Sequence, residues 1–195
     1  MPYIKQPKIV KPIEEAIKFA ENKLGQEMLP ARLLLWTPKA FISSMILEGL
    51  VAHKHGKVTP RMLKLIRMQV SLLIACPFCI DMNSAGFQKY QITKDEIMAL
   101  QRIKKIKEVS SFTSREKVVL YYIRGIVRTP IKQNSKVIEY MTQAFNESEF
   151  ATIVTTVAQV DYWTRIIQGF GIQPAGFLDT CDLEILMEGR GWMIT

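Results

Sequence analysis

A chain of 195 residues with 48% apolar and 23% charged side chains has the composition of a globular protein rather than a disordered one, and is long enough to bury a core. Its 26 basic and 18 acidic residues leave a net charge of +8, but the basic residues are spread along the chain. The densest group (Arg102, Lys104, Lys105, Lys107) lacks the interleaved aromatics of a nucleic-acid-binding surface, so a solvated face is expected and nucleic acid is not an expected partner.

No run approaches the ~20 apolar residues of a membrane span, the longest being Val70 to Ile80, interrupted by Ser71, Cys76 and Pro77. The first residues have no signal-peptide core. The expectation is a cytoplasmic protein with no membrane partner. Three cysteines in a reducing compartment argue against a structural disulfide framework, so two close ones point to redox work or a metal.

In chain order the punctuation is helical. Pro12 with Glu14 and Glu15 opens a first helix, and Gly25 stops it. Pro38 opens a second, containing Phe41, Met45, Leu47 and Leu50 and ending near His53 to Gly56. Both histidines lie near that end, where capping is the plainer role. Thr59-Pro60 caps a helix running to Ala75 that is apolar nearly all round and therefore expected to be buried.

Next comes Cys76-Pro77-Phe78-Cys79. Proline suits the first helical position, which makes Cys76 an N-cap and places Cys79 one turn in, bringing both sulfurs to one helix end. Free amide groups and the positive helix end favour thiolate there. A thiolate attacks a peroxide, and a neighbouring thiol resolves the sulfenic acid to a disulfide. Core packing is one alternative. Another is zinc held with Cys181, His53 or His55, but no second Cys-x-x-C knuckle is present to complete a zinc site. A thioredoxin fold is excluded by context, because its motif follows a strand and this one follows a helix.

Beyond the motif, Thr93/Glu96, Thr113/Glu116 and Asn146/Glu149 are capping boxes, each ahead of an apolar pattern of helical spacing. Pro130 separates the helix after Thr113 from one containing Val137, Ile138 and Met141. Past Gly171 the pattern loosens into a tail (173–195) with Pro174, Gly176 and Trp192. The expectation is a single all-α domain over 1–195, a helical bundle of about eight helices.

The segment from Arg67 through Cys76-Pro77-Phe78-Cys79 to Met82 resembles the alkylhydroperoxidase-like (carboxymuconolactone decarboxylase) family. The stretches at Thr93–Ile97, Phe112–Lys117 and Asp161–Ile166 extend the likeness to about residues 30–172. The resemblance implies a thiol-dependent peroxidase or disulfide oxidoreductase without metal or other cofactor. It also implies a hydroperoxide or other small-molecule substrate, an external dithiol reductant, and assembly as a homo-oligomer (trimer or hexamer). It makes Cys79 the attacking sulfur and Cys76 the resolving one, whereas the helix-cap argument favours Cys76 as the thiolate. The family's proton-relay histidine and glutamate fall on Asn83 and Lys64, so both are substituted. Asparagine cannot take a proton near neutral pH and lysine is no carboxylate. Losing such assistance, worth about 10²–10⁴-fold, implies a weakened peroxidase. The rival readings are a non-catalytic redox sensor or assembly protein of the same fold, and a decarboxylase-branch enzyme acting on a small lactone. Asp81 and Gln69 are candidates to hydrogen-bond around the motif; Tyr162, Trp163 and Arg165 are candidates for a pocket mouth.

Overall fold

The computed structural model describes residues 1–50 and 53–178. Among them are nine α-helices and no strands. α1 (Lys11–Leu24) carries proline in its first turn and ends on Gly25 at φ 74°, a left-handed cap that glycine adopts without strain. α2 (Leu29–Leu34) is the one helix beyond the eight expected. Its N-cap is Met28, with no side-chain cap, and Pro30 in its first turn is its one local signal.

α3 (Pro38–Leu50), α4 (Pro60–Ile74) and α5 (Pro77–Ser84) follow. α4 starts where Thr59 Oγ1 accepts the Met62 N–H, and nine of its residues are buried, including Gln69. It is the central rod, packed on α5, on α7 (Ser114–Ile126) and most extensively on α9 (Glu147–Gly169). α6 (Lys94–Leu100) and α8 (Ser135–Ala144) close the main core, in which Ile66, Met68, Leu72, Leu100, Leu120, Ile123 and Ile153 are shielded from solvent.

All three capping boxes form, each with both reciprocal hydrogen bonds. Their glutamates are buried, and each reaches a second element as well. Arg61 on α4 bridges Glu96 and Glu116, while Glu149 accepts the Lys57 backbone N–H at 2.7 Å. That N–H, followed by the Asn146 N–H, holds the Glu149 carboxyl below its ordinary range, against the opposing effect of burial.

At the other end, buried Arg32 binds Glu21 at 2.7 Å and Glu14 at 2.8 Å, clamping α2 to α1. The hydrogen bonds it donates to Glu21, and then to Glu14, push its guanidinium further toward the charged form against the effect of burial. No described helix is long and apolar enough to cross a membrane. Cys181 and Trp192 lie outside the described residues.

Candidate functional site

The chain turns from α4 into the cysteine motif through Ala75, which sits in the left-handed region at φ 66° and donates its N–H to Ser71. Cys76 is then the N-cap of α5, its backbone extended, and Pro77 is the first helical residue. The Cys79 N–H donates to Cys76 Sγ at 3.3 Å, so the cap is made by sulfur where serine or aspartate usually stands. The two residues form a disulfide across Cα atoms 5.2 Å apart.

Both cysteines are shielded from solvent, at 0% and 1% exposure. They share a small apolar cluster with Leu33, Phe78, Ile167 and Ile172, against which Trp163, Met82, Ala175 and Phe177 pack. Part of this cover is the non-helical segment 172–178. Asp81, two residues beyond Cys79 and fully buried, fixes it: Oδ2 accepts the N–H groups of Ala175 and Gly176 at 2.8 Å, and Oδ1 accepts Leu178 N–H at 2.7 Å. Phe177 meets Phe78 edge-to-face at 6.0 Å. Ala175, Gly176 and Leu178 thus offer the Asp81 carboxylate the kind of N–H cradle that a helix N-terminus offers an anion, and this straps segment 172–178 over the sulfurs.

Beside the motif lies a cavity of about 980 Å³ whose walls come from α1 to α5 and α9, with the exposed Lys54 at its edge between α3 and α4. Phe78, Met82 and Asn83 face it from α5, and Lys64 and Arg67 from α4. Lys64 and Asn83, the positions that the resemblance matches to a proton relay, are therefore brought to one cavity. Asn83 donates its amide to Ser71 Oγ at 3.0 Å. Lys64 Nζ donates to the Ala85 carbonyl at 2.6 Å and lies over the Tyr90 ring at 5.6 Å. Burial, and then the charge of Arg67, pull its ammonium from 10.5 down to about 8.

Of the candidates for the pocket mouth, Trp163 lines the cavity. Tyr162 instead bonds Ser44 Oγ at 2.6 Å, and Arg165 pairs with Asp161 at 3.2 Å along the exposed side of α9. Gln69 is held in the core by the Leu100 carbonyl, away from the sulfurs. His53 bonds the Gly49 carbonyl one turn back, the expected capping contact, and His55 bonds Ser148. Among the described residues no group of three His, Cys, Asp or Glu side chains is arranged to hold a metal.

Two site residues escaped sequence reading. Glu48 joins Gln159 (2.6 Å) and Trp163 (3.1 Å) through Oε2 and faces Arg67 (3.5 Å) through Oε1. Ser71, which orients Asn83, is the other. Both act across helices, and no spacing within one helix signals such a contact.

Residues 43–106, which contain Lys64, both cysteines and Asn83, match the carboxymuconolactone decarboxylase family. The uncharacterised protein YdfG of Bacillus subtilis (strain 168) is 24% identical over 123 residues, 63% of this chain and 82% of that one. Among solved structures, a peroxidase-related protein with an alkylhydroperoxidase AhpD core from Ralstonia eutropha JMP134 superposes with a TM-score of 0.70 at 16% identity, covering 97% and 96% of the two chains. The debrominase Bmp8 superposes with a TM-score of 0.77 at 14% identity, covering 94% and 98%. Residues 43–106 thus carry a likeness to the carboxymuconolactone decarboxylase family, and the chain shares the all-helical fold of the AhpD-core and peroxidase-related structures.

Proposed function

We propose that the protein is a cytoplasmic thiol–disulfide oxidoreductase that reduces hydroperoxides with the Cys76/Cys79 pair and takes its electrons from an external dithiol. The observation that carries this reading is the paired sulfurs at one helix end, with the Cys79 N–H directed at Cys76 Sγ. In the reduced protein the thiolate of Cys79 attacks the distal peroxide oxygen. The O–O bond breaks, Cys79 becomes a sulfenic acid, and the alkoxide takes a proton to leave as an alcohol. Cys76 then displaces water from that sulfenic acid and the disulfide forms.

Regeneration runs the other way through the same polarity. An external dithiol attacks Cys79, and Cys76 leaves as the thiolate that the cap N–H stabilises; a more acidic thiol leaves faster. A second thiol of the reductant then releases Cys79. In this reading Cys79 meets outside reagents and Cys76 resolves and departs, and the cap N–H supports that departure. Lys64 and Asn83 stand in place of a carboxylate–imidazole relay, so turnover is expected to be slow.

Alkylation and mass spectrometry after peroxide exposure test this. A Cys76–Cys79 disulfide that forms rapidly and cycles with dithiothreitol is expected, and turnover is lost in both Cys76→Ser and Cys79→Ser. Peroxide turnover retained in both single variants refutes it. Stoichiometric oxidation without turnover would favour a redox sensor.

A second reading draws on the likeness to the debrominase: the same two electrons reduce a carbon–bromine bond, giving C–H, bromide and the disulfide. Bromide release from a brominated aromatic, dependent on both cysteines, tests it. Assembly as a homo-oligomer, a trimer or hexamer, is part of the proposal. It is supported by apolar side chains left at the surface of α1 and α3, among them Phe19, Ile42 and Ile46.

A further inference from the structure

The cavity beside the motif has two unlike sides. Every residue that α1 contributes is apolar, and Ile13, Ala16, Ile17, Ala20 and Leu24 follow helical spacing along one stripe. The two alanines make that stripe a trough. α1 also carries Glu14, Glu15, Lys18 and Lys23, and none of these faces the cavity. The α4 wall instead presents Lys64 and Arg67, three residues apart on one helix face.

Those two cations differ in their partners. Arg67 has Glu48, the one carboxylate lining the cavity, and Glu48 is further engaged by Gln159 and Trp163. Lys64 has no carboxylate within ion-pair distance among the described residues, and its single hydrogen bond is to the Ala85 carbonyl. A half-buried ammonium without a counter-charge is costly unless something supplies one. A cavity of about 980 Å³ is large enough for that something to be a ligand.

We propose that this cavity binds an amphipathic monoanion, with its oxyanion head on Lys64 and its apolar body in the α1 trough. As a statement about substrate it rests on the peroxidase reading, and names the class: a hydroperoxide borne on an apolar chain or ring that also carries an acid group. The head is held by Lys64 while the body passes Phe78 and Met82 on the helix that carries Cys79. Small uncharged peroxides satisfy neither side of the cavity.

Binding is measured by titration calorimetry on the full chain with its disulfide intact, using decanoate, decanol and decyltrimethylammonium. Decanoate is expected to bind at least tenfold more tightly than the other two. Lys64→Gln is expected to bring decanoate down to the level of decanol, with decanol unchanged, and Lys64→Arg to keep the preference. Ala16→Phe, which fills the trough, weakens both. Equal affinity for decanoate and decanol in the unmodified chain overturns the proposal, as does a folded Lys64→Gln protein that keeps the preference. A chain that binds none of the three, and whose Ile13→Asp variant falls from oligomer to monomer, overturns it in favour of a second copy on the α1 wall. No peroxide enters these titrations. Failure here leaves the thiol chemistry standing, and failure of the alkylation experiment leaves the binding result standing.

Discussion

Lys64 shows how burial changes the physics of a charged side chain. Its ammonium titrates near 8 in the folded chain, against an ordinary 10.5, because burial and then Arg67 disfavour the charge. Between those two values the unfolded chain binds more protons than the folded one, so stability rises with pH across that window. Below about pH 8 both states hold the proton and the full penalty remains. Urea unfolding at pH 7.5 and 9.5 is expected to show stability increasing in the unmodified chain relative to Lys64→Met. A difference between the two proteins that does not change with pH would show that Lys64 is not desolvated as described. The cysteines were legible in the sequence because their geometry is local: proline after the first and a three-residue spacing place both at one helix end. Lys64 and Asn83 were legible only through resemblance. Glu48 and Asp81 had partners 115 and 94 residues away, Trp163 and Ala175, which no local pattern connects.

At the scale of elements, the three capping boxes were readable because both partners lie within one turn. What their glutamates do next was not, since Arg61 and Lys57 come from elsewhere in the chain. α2 was missed for the complementary reason: it is held by Arg32 acting on α1, not by a cap. The strap over the disulfide belongs with these long-range features. The Asp81 carboxylate accepts three N–H groups, that of Leu178 buried and the other two partly so, and a hydrogen bond to a charged group contributes about 1.5–3 kcal/mol where its partner would otherwise be unpaired. Asp81→Asn is therefore expected to expose the motif, speeding reduction of the Cys76–Cys79 disulfide by dithiothreitol at least tenfold, while the rate in urea-unfolded protein stays unchanged. Equal native-state rates would mean that the sulfurs are reached without moving 172–178.

The whole molecule divides into a main core around α4 and a smaller cluster around the sulfurs. The all-helical class followed from proline and capping punctuation, but this partition did not, because it depends on which helices α9 and the strap press against. Trp163 stands on the boundary: its ring lines the cavity and also packs against the cluster holding the disulfide. An excited indole near a disulfide loses its energy by passing an electron to the S–S bond, and a dithiol accepts that electron poorly. With Trp36, which is at the surface, and Trp192 replaced by phenylalanine, emission from Trp163 is expected to rise on reduction and to stay constant in the Cys76→Ser/Cys79→Ser double variant. A ligand entering the cavity would alter the same signal. One chromophore, native to the chain, would then follow both the occupancy of the cavity and the electron count of the sulfurs in real time.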